Sequence, residues 1–338
     1  MKNYLRISTI IFLSFFVISC DSDDNDNDGL CCAGSSIVDL ASQTESLSTL
    51  VSALEATGLD QTLSASGSYT VLAPTNDAFN AFLTSINASA LEDVPVDVLT
   101  NVLLNHVILG EVQSTSLTNG YATTLATSSA SSTNMSIYVN TDNGVSFNGV
   151  SSVLTADVVA SNGVVHIVDA VIGLPTVVTF ALADPNFEVL VQALTREDLT
   201  MDFVGLLNSS SSPPTPLTVF APVNSAFVNL LDELGLTGLN DVDEPTLSAV
   251  LTYHVVTGAN QLSINLSDGM EFTTAGGGSL SFNFGDNGEG ILTDNNGRTS
   301  NIVAVDVQAN NGIIHAIDTV VLPLSLIHIS EPTRPVTI

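Results

Sequence analysis

Apolar residues along this chain recur with two periods, one near that of a helix and one of two, and the periods follow each other in the same order twice. Leu47, Leu50, Val51 and Leu54 fall at i, i+3, i+4 and i+7, the stripe of a half-buried helix, and Gly58 suits its C-terminus. Phe187, Leu190, Val191 and Leu194 draw the same stripe further on. A short apolar strand over 69–72 comes next, stopped by Ala73-Pro74, and a helix starts at Asn76, whose side chain can cap it. A further helix over 96–106 buries Leu99, Val102 and Leu103, and it places His106 on the same inward face. Beyond it the period drops to two. Segments 135–139 and 280–284 alternate and precede the turn pairs Asn143-Gly144 and Asn287-Gly288. Each pass closes with a hairpin, 158–172 turning at Asn162-Gly163 and 302–322 turning at Asn311-Gly312. Helices first and a mostly antiparallel sheet after them predict an α+β fold.

Laid against itself, the chain repeats its residues as well as its pattern. Thr70, Pro74, Asn76 and Phe79 in TVLAPTNDAF correspond to Thr218, Pro222, Asn224 and Phe227 in TVFAPVNSAF, an offset of 148. The same offset carries His106 onto His254. An offset of 149 carries Asp157, Gly163, His166 and Asp169 onto Asp306, Gly312, His315 and Asp318. Two domains of one fold follow, 36–175 and 176–323, parted near Pro175-Thr176. Neither contains a cysteine, so each stands on its core, which about 140 residues can supply.

These segments, with a helix ending in NHV or YHV and closing strands GVVHIVDAVIGLP and GIIHAIDTVVLP, resemble the two sequence boxes and central histidine of fasciclin-like domains. The resemblance implies two tandem domains, each a β-sandwich wedge of mostly antiparallel sheets with helices packed along one edge. It also implies an association with adhesion and extracellular matrix, and for bacterial members with surface attachment. Tyr253-His254 matches a tyrosine–histidine pair linked to integrin binding in animal relatives, whereas Asn105 replaces the tyrosine in the first copy. The repeated motif residues read as structural. His106 and His254 face apolar helix stripes, and His166 and His315 lie in apolar strands, where a buried imidazole needs hydrogen-bond partners.

Both ends depart from the repeat. Lys2 and Arg6 precede an apolar run that closes with Val17-Ile18-Ser19-Cys20. This reads as a signal peptide over 1–19 followed by a lipobox-like site, with Cys20 acylated and the protein held to its membrane by that lipid. Residues 20–35 read as an acidic tether whose position resembles the signal for the outer face of the outer membrane. Asp24, Asp26, Asp28 and Gly29 match the start of a calcium loop, but Ser35 stands where its bidentate acid belongs. Residues 324–338 read as the translation of a sequencing adapter, an artefact without function.

Charge narrows the partners. The chain has 35 acidic and five basic residues, a net charge of −30, and of the basic residues only Arg196 and Arg298 lie within the two domains. Nucleic-acid binding needs cationic side chains to displace phosphate counterions and is excluded. Cys31-Cys32 is too isolated for a zinc site. No Gly-x-Ser-x-Gly elbow occurs, and Gly276-Gly277-Gly278 lacks the lysine of a phosphate loop and reads as a flexible turn. No catalytic set, cofactor site or metal cluster is expected. The recurring pairs Asp157 with Asp169 and Asp306 with Asp318 offer at most weak divalent-cation binding, against the more ordinary roles of turn and edge residues.

The expected function is that of a surface-anchored adhesion or ligand-binding lipoprotein, meeting extracellular protein or polysaccharide or associating with itself. The alternatives are a glycan-capturing outer-membrane lipoprotein and an enzyme of unrecognised type. Changing Cys20 to Ala is expected to move the protein from the membrane fraction to the soluble fraction. Membrane retention of that variant contradicts the lipid anchor.

Overall fold

The computed structural model describes residues 34–208 and 216–324. Cys20, Cys31, Cys32, the calcium-like run and residues 325–338 lie outside the described residues. In the first domain α1 (Ile37–Gln43), α2 (Ser48–Thr57) and α3 (Leu59–Ser64) precede β1 (Tyr69–Pro74). Then follow α4 (Asn76–Ser85), α5 (Val96–Leu104), β2 (Val107–Leu109), β3 (Gly120–Thr127), β4 (Asn134–Asn140), β5 (Ser146–Phe147), β6 (Ser151–Ala160) and β7 (Gly163–Val168). The second domain repeats the order with α6 (Val177–Ala183), α7 (Glu188–Leu194), α8 (Phe203–Asn208), β8 (Leu217–Pro222), α9 (Asn224–Leu234) and α10 (Glu244–Tyr253). Its remaining strands are β9 (Val255–Thr257), β10 (Met270–Thr273), β11 (Ser279–Phe284), β12 (Gly290–Asp294), β13 (Thr299–Gln308) and β14 (Gly312–Ile317). Both domains are α+β, as their pattern predicts.

Local chemistry sets the element ends. Gly58 ends α2 at φ 69°, in the left-handed region that glycine enters without steric cost. The strand expected to stop before Ala73 instead runs through Pro74. In the last position Pro74 pairs with Val168 in a parallel register and needs no N–H of its own. The cap of α4 is Thr75, which accepts from the Ala78 N–H, and not Asn76. Helix α5 stops at Leu104, so His106 stands in the turn into β2 rather than on the helix; its burial comes from that turn.

In each domain the first strand lies parallel to the last, β1 on β7 and β8 on β14. The remaining pairs are antiparallel. The order β1-β2-β3-β4-β5-β6-β7 closes on itself in the first domain, while β10-β11-β12-β13-β14-β8-β9 stays open between β9 and β10 in the second. Alternation along β1 divides the apolar residues between two cores. Val71 and Ala73 join Phe79, Leu99 and Leu103 on the helix side, and Leu72 joins Ile137, Val139 and Phe147 inside the sheet. Val219 and Ala221 against Phe220 make the same division in the second domain.

The parallel pair brings backbones too close for a side chain at one point. A Cβ on Gly163 would strike the Tyr69 carbonyl oxygen, and one on Gly312 would lie 2.5 Å from that of Leu217. Gly163→Ala is expected to cost about 2–4 kcal/mol in urea unfolding, as a backbone clash that packing cannot relax. Gly173→Ala, which meets nothing within 4 Å, is expected to change stability by less than about 0.5 kcal/mol. Equal effects at the two positions contradict the close-approach account.

Candidate functional site at the joint between the domains

The residues repeated in both halves gather on one structural task. Thr70 on β1 donates to the Gly110 carbonyl and accepts from the Val112 N–H, at 2.7 and 2.8 Å. His166 on β7 meets the Val112 carbonyl through Nε2 at 3.0 Å, and its Nδ1 accepts the Asp157 N–H at 3.2 Å. Asp157 then accepts both the N–H and the hydroxyl of Ser114. Three neighbouring strands thus hold the backbone of residues 110–114 like a strap. Thr218, His315, Asp306 and Ser263 hold 259–263 in the same way. Both aspartates sit at φ 60°, a left-handed conformation that costs free energy and is fixed here by the strap.

Serine, aspartate and histidine in one chain of contacts suggest a hydrolase, but the wiring is wrong for one. The Ser114 hydroxyl donates to Asp157 and not to the imidazole, and His166 is fully buried with both ring nitrogens spent on backbone groups. The Asp157 N–H donates to Nδ1, and the Asp157 carboxylate, 3.9 Å from that nitrogen, is taken by Ser114. The second carboxylate of each recurring pair is occupied separately: Asp169 accepts the Ser152 N–H, and Asp318 accepts the Asn301 N–H and side-chain amide.

The other motif positions are structural in their contacts as well. Asn76 reaches back from α4 to accept the Thr49 N–H and donate to the Glu45 carbonyl, and Asn224 does the same with Val189 and Pro185. Phe79 and Phe227 fill the helix-side cores, and Pro222 closes β8 beside Ile317. His106 donates through Nδ1 to the Val102 carbonyl and accepts the Ile172 N–H at Nε2, at 2.8 and 2.9 Å. His254 repeats this between Val250 and Val321. Tyr253 is fully buried, donates to the Ser279 carbonyl and packs where a side chain on Gly278 would strike its ring. It offers no surface to a partner. Gly276-Gly277-Gly278, expected as a flexible turn, is therefore a turn closed over that ring. Asn105 fills the equivalent place in the first domain, donating to Ile172 and Gly173 carbonyls.

Residues that do not repeat build the joint. Gln308, at the end of β13, donates from its backbone to the Ser136 hydroxyl and from its amide to the Ser128 hydroxyl, while the Thr133 hydroxyl donates to its Oε1. Ser128 in turn donates to the Ala309 carbonyl at 2.7 Å. Val159, 70 % exposed, holds the place of Gln308 in the first domain. Tyr121 of β3 crosses to the second domain, donating to Asp184 at 2.9 Å and meeting Phe180 edge-on at 5.5 Å. Beside this contact lies a cavity of about 370 Å³, lined by Tyr121, Tyr138, Asn119, Asp184, Asn186, Val303 and Val307 among others. Pattern reading missed all of these. Self-comparison could have found Ser114 and Ser263, which stand 149 apart in step with Asp157 and Asp306; it has no purchase on residues used once.

The model of the Fasciclin domain family matches residues 45–175 and 185–323, and the chain belongs to that family. Protein sll1483 of Synechocystis sp. is 38 % identical over 136 residues, covering 40 % of this chain and 72 % of its own. Human periostin is 27 % identical over 82 % of this chain, which spans 31 % of periostin's length. A solved FAS1 domain pair from the insect cell adhesion molecule fasciclin I covers 80 % of this chain and 92 % of its own, at 21 % identity and a TM-score of 0.45.

Burial lowers the pKa of both His106 and His254 to about 4. Their neutral forms are thus a condition of folding. With an unfolded value of about 6.5, each contributes stability that is whole above that pH and is lost as the pH falls toward 4. Each is expected to cost about 2 kcal/mol on going from pH 7 to pH 5. His106→Ala should lose about 1–3 kcal/mol at pH 7 and show a shallower fall between pH 7 and pH 5 in urea titrations. An unchanged pH slope in that variant contradicts the assignment.

Proposed function

We propose that this protein is a cell-surface adhesion or ligand-binding lipoprotein, held at the outer face of the outer membrane by acylated Cys20 and acting without catalysis. The observation that carries the reading is the pairing of two fasciclin domains through a joint in which Gln308 and Ala309 of the second exchange hydrogen bonds with Ser128 and Ser136 of the first. Adhesion and matrix contact are what the family is associated with, and two domains locked together offer one extended surface instead of two independent ones. The repeated residues are consumed inside each domain, so recognition falls to residues at the joint and on the exposed faces. Among the described residues no single helix is long and apolar enough to cross a membrane. The acidic surface favours partners that bring cations, either basic groups or bridging divalent ions.

Attachment of whole cells to surfaces and to one another provides the test, with wild type compared against a deletion strain and single-domain truncations, with and without a chelator. Deletion is expected to reduce attachment, and either truncation to reduce it further than half because two sites on one body act together. Unchanged attachment on deletion, with turnover of a substrate by the purified chain, would replace this reading by that of an enzyme.

A further inference from the structure

The cavity at the joint holds a carboxylate that the protein leaves without a counter-charge. Asp184 is 5 % exposed and follows α6 directly, where it caps the next turn. One of its oxygens accepts the backbone N–H and the side-chain amide of Asn186, both at 2.9 Å. The other accepts only the Tyr121 hydroxyl. A carboxylate has about four lone-pair sites, so acceptor capacity is left over. Tyr121 cannot compensate the charge. Burial and the neighbouring Asp184 push its hydroxyl pKa far up, so it stays a neutral donor.

No basic side chain of the domains is free to help. Arg196 and Arg298 are the only two among the described residues, and both are engaged elsewhere. Arg196 binds Asp198 and the Leu239 and Val242 carbonyls, and Arg298 binds Glu233 and the Val320 carbonyl. Carboxylates this deeply buried are ordinarily paired with a cation.

The walls decide which cation fits. Tyr121 and Tyr138 line the cavity with ring centroids 5.1 Å apart, and Val303 and Val307 line it as well. Aromatic and aliphatic walls favour an organic cation on an alkyl stem, which gains from ring faces and apolar contact together. A metal ion would need several more oxygen ligands than one carboxylate supplies. A volume of about 370 Å³ also exceeds what an ion requires and falls in the range of small-ligand pockets.

We propose that this cavity receives a lysine or arginine side chain of a partner protein, its cationic head on Asp184 and its stem between the tyrosines and the valines. This rests on the adhesion reading only in assigning the cation to a partner's surface. The test is titration of the full chain with Nα-acetyl-lysine amide, followed by calorimetry and by the ring resonances of Tyr121 and Tyr138. Nα-acetyl-norleucine amide and calcium chloride serve as comparisons. Saturable one-to-one binding of the lysine amide is expected, with no saturation by the norleucine amide. Asp184→Asn should weaken binding roughly tenfold or more, the loss of a charge-assisted hydrogen bond. Asp184→Ser, which removes the charge but keeps a side-chain acceptor for the Asn186 N–H, should weaken it to a similar degree and carries the comparison if Asp184→Asn unfolds. Absence of saturation with the wild type, equal binding of the norleucine amide, or calcium alone shifting both rings overturns the proposal. Lysine binding without any effect of deletion on cell attachment would sink the adhesion reading and leave the cavity assignment standing.

Discussion

Each domain depends on a parallel pair between its first strand and its last. Pairing β1 with β7, and β8 with β14, joins segments about ninety residues apart in sequence, a closure that local propensity alone does not provide. The pairing places Thr70 and His166 on neighbouring strands, so both can grip residues 110–114. It requires Gly163 and Gly312 where the backbones approach. It also delivers Asn162 to the helices, where its amide donates to the Leu63 and Ala65 carbonyls and its oxygen accepts the Ile37 N–H. Asn311 repeats the role against Leu207 and Val177. Helices and sheet are thereby fastened at the turn that precedes the last strand.

A second constraint is the near absence of cations. With 35 acidic residues and five basic ones, most carboxylates must be stabilised by neutral donors, namely serine hydroxyls, asparagine amides and backbone N–H groups, while the two arginines of the domains pair with Asp198 and Glu233. Asp39 and Asp157 are held below the usual carboxylate range by their serine partners, Ser36 and Ser114. His106 and His254 are neutral for the complementary reason, since burial penalises the charged ring. The joint follows the same chemistry, with an amide and hydroxyls at Gln308 and a phenol on Asp184. Bonds of this kind weaken little with salt, which suits a protein whose surface charges need screening. Asp184 is the place where neutral donors fall short of filling a buried carboxylate.

Much of this was legible from residues. The 3.6-residue stripes over α2 and α7, the glycine that ends α2 and the alternation along β4 and β11 gave elements in their observed order, because burial on one face leaves a period in the sequence. The repeat revealed two domains and the residues common to them. What the pattern could not carry was distance. Thr75 and Asn76 are both plausible caps, and only the approach of α2 shows that Asn76 is used across helices. Parallel pairing of β1 and β7 leaves no local mark. The strap was half visible, since Asp157 and Asp306 recur, but their partner serines lie in a sequence rich in serine. Tyr121, Asp184 and Gln308 occur once each and belong to no motif, so the joint emerges only when the domains are seen together.

The two domains form one body through that joint, and distance distributions between spin labels test this most directly. Ser85 on α4 and Asp232 on α9 are exposed positions in different domains; each is replaced by cysteine in a full chain with Cys31 and Cys32 changed to serine. One narrow distance distribution is predicted for this chain, broadening when Gln308→Ala removes the amide that ties β13 to Ser128 and Thr133. A broad distribution before that change, or no response to it, would show that the domains move independently and that the joint does not hold them.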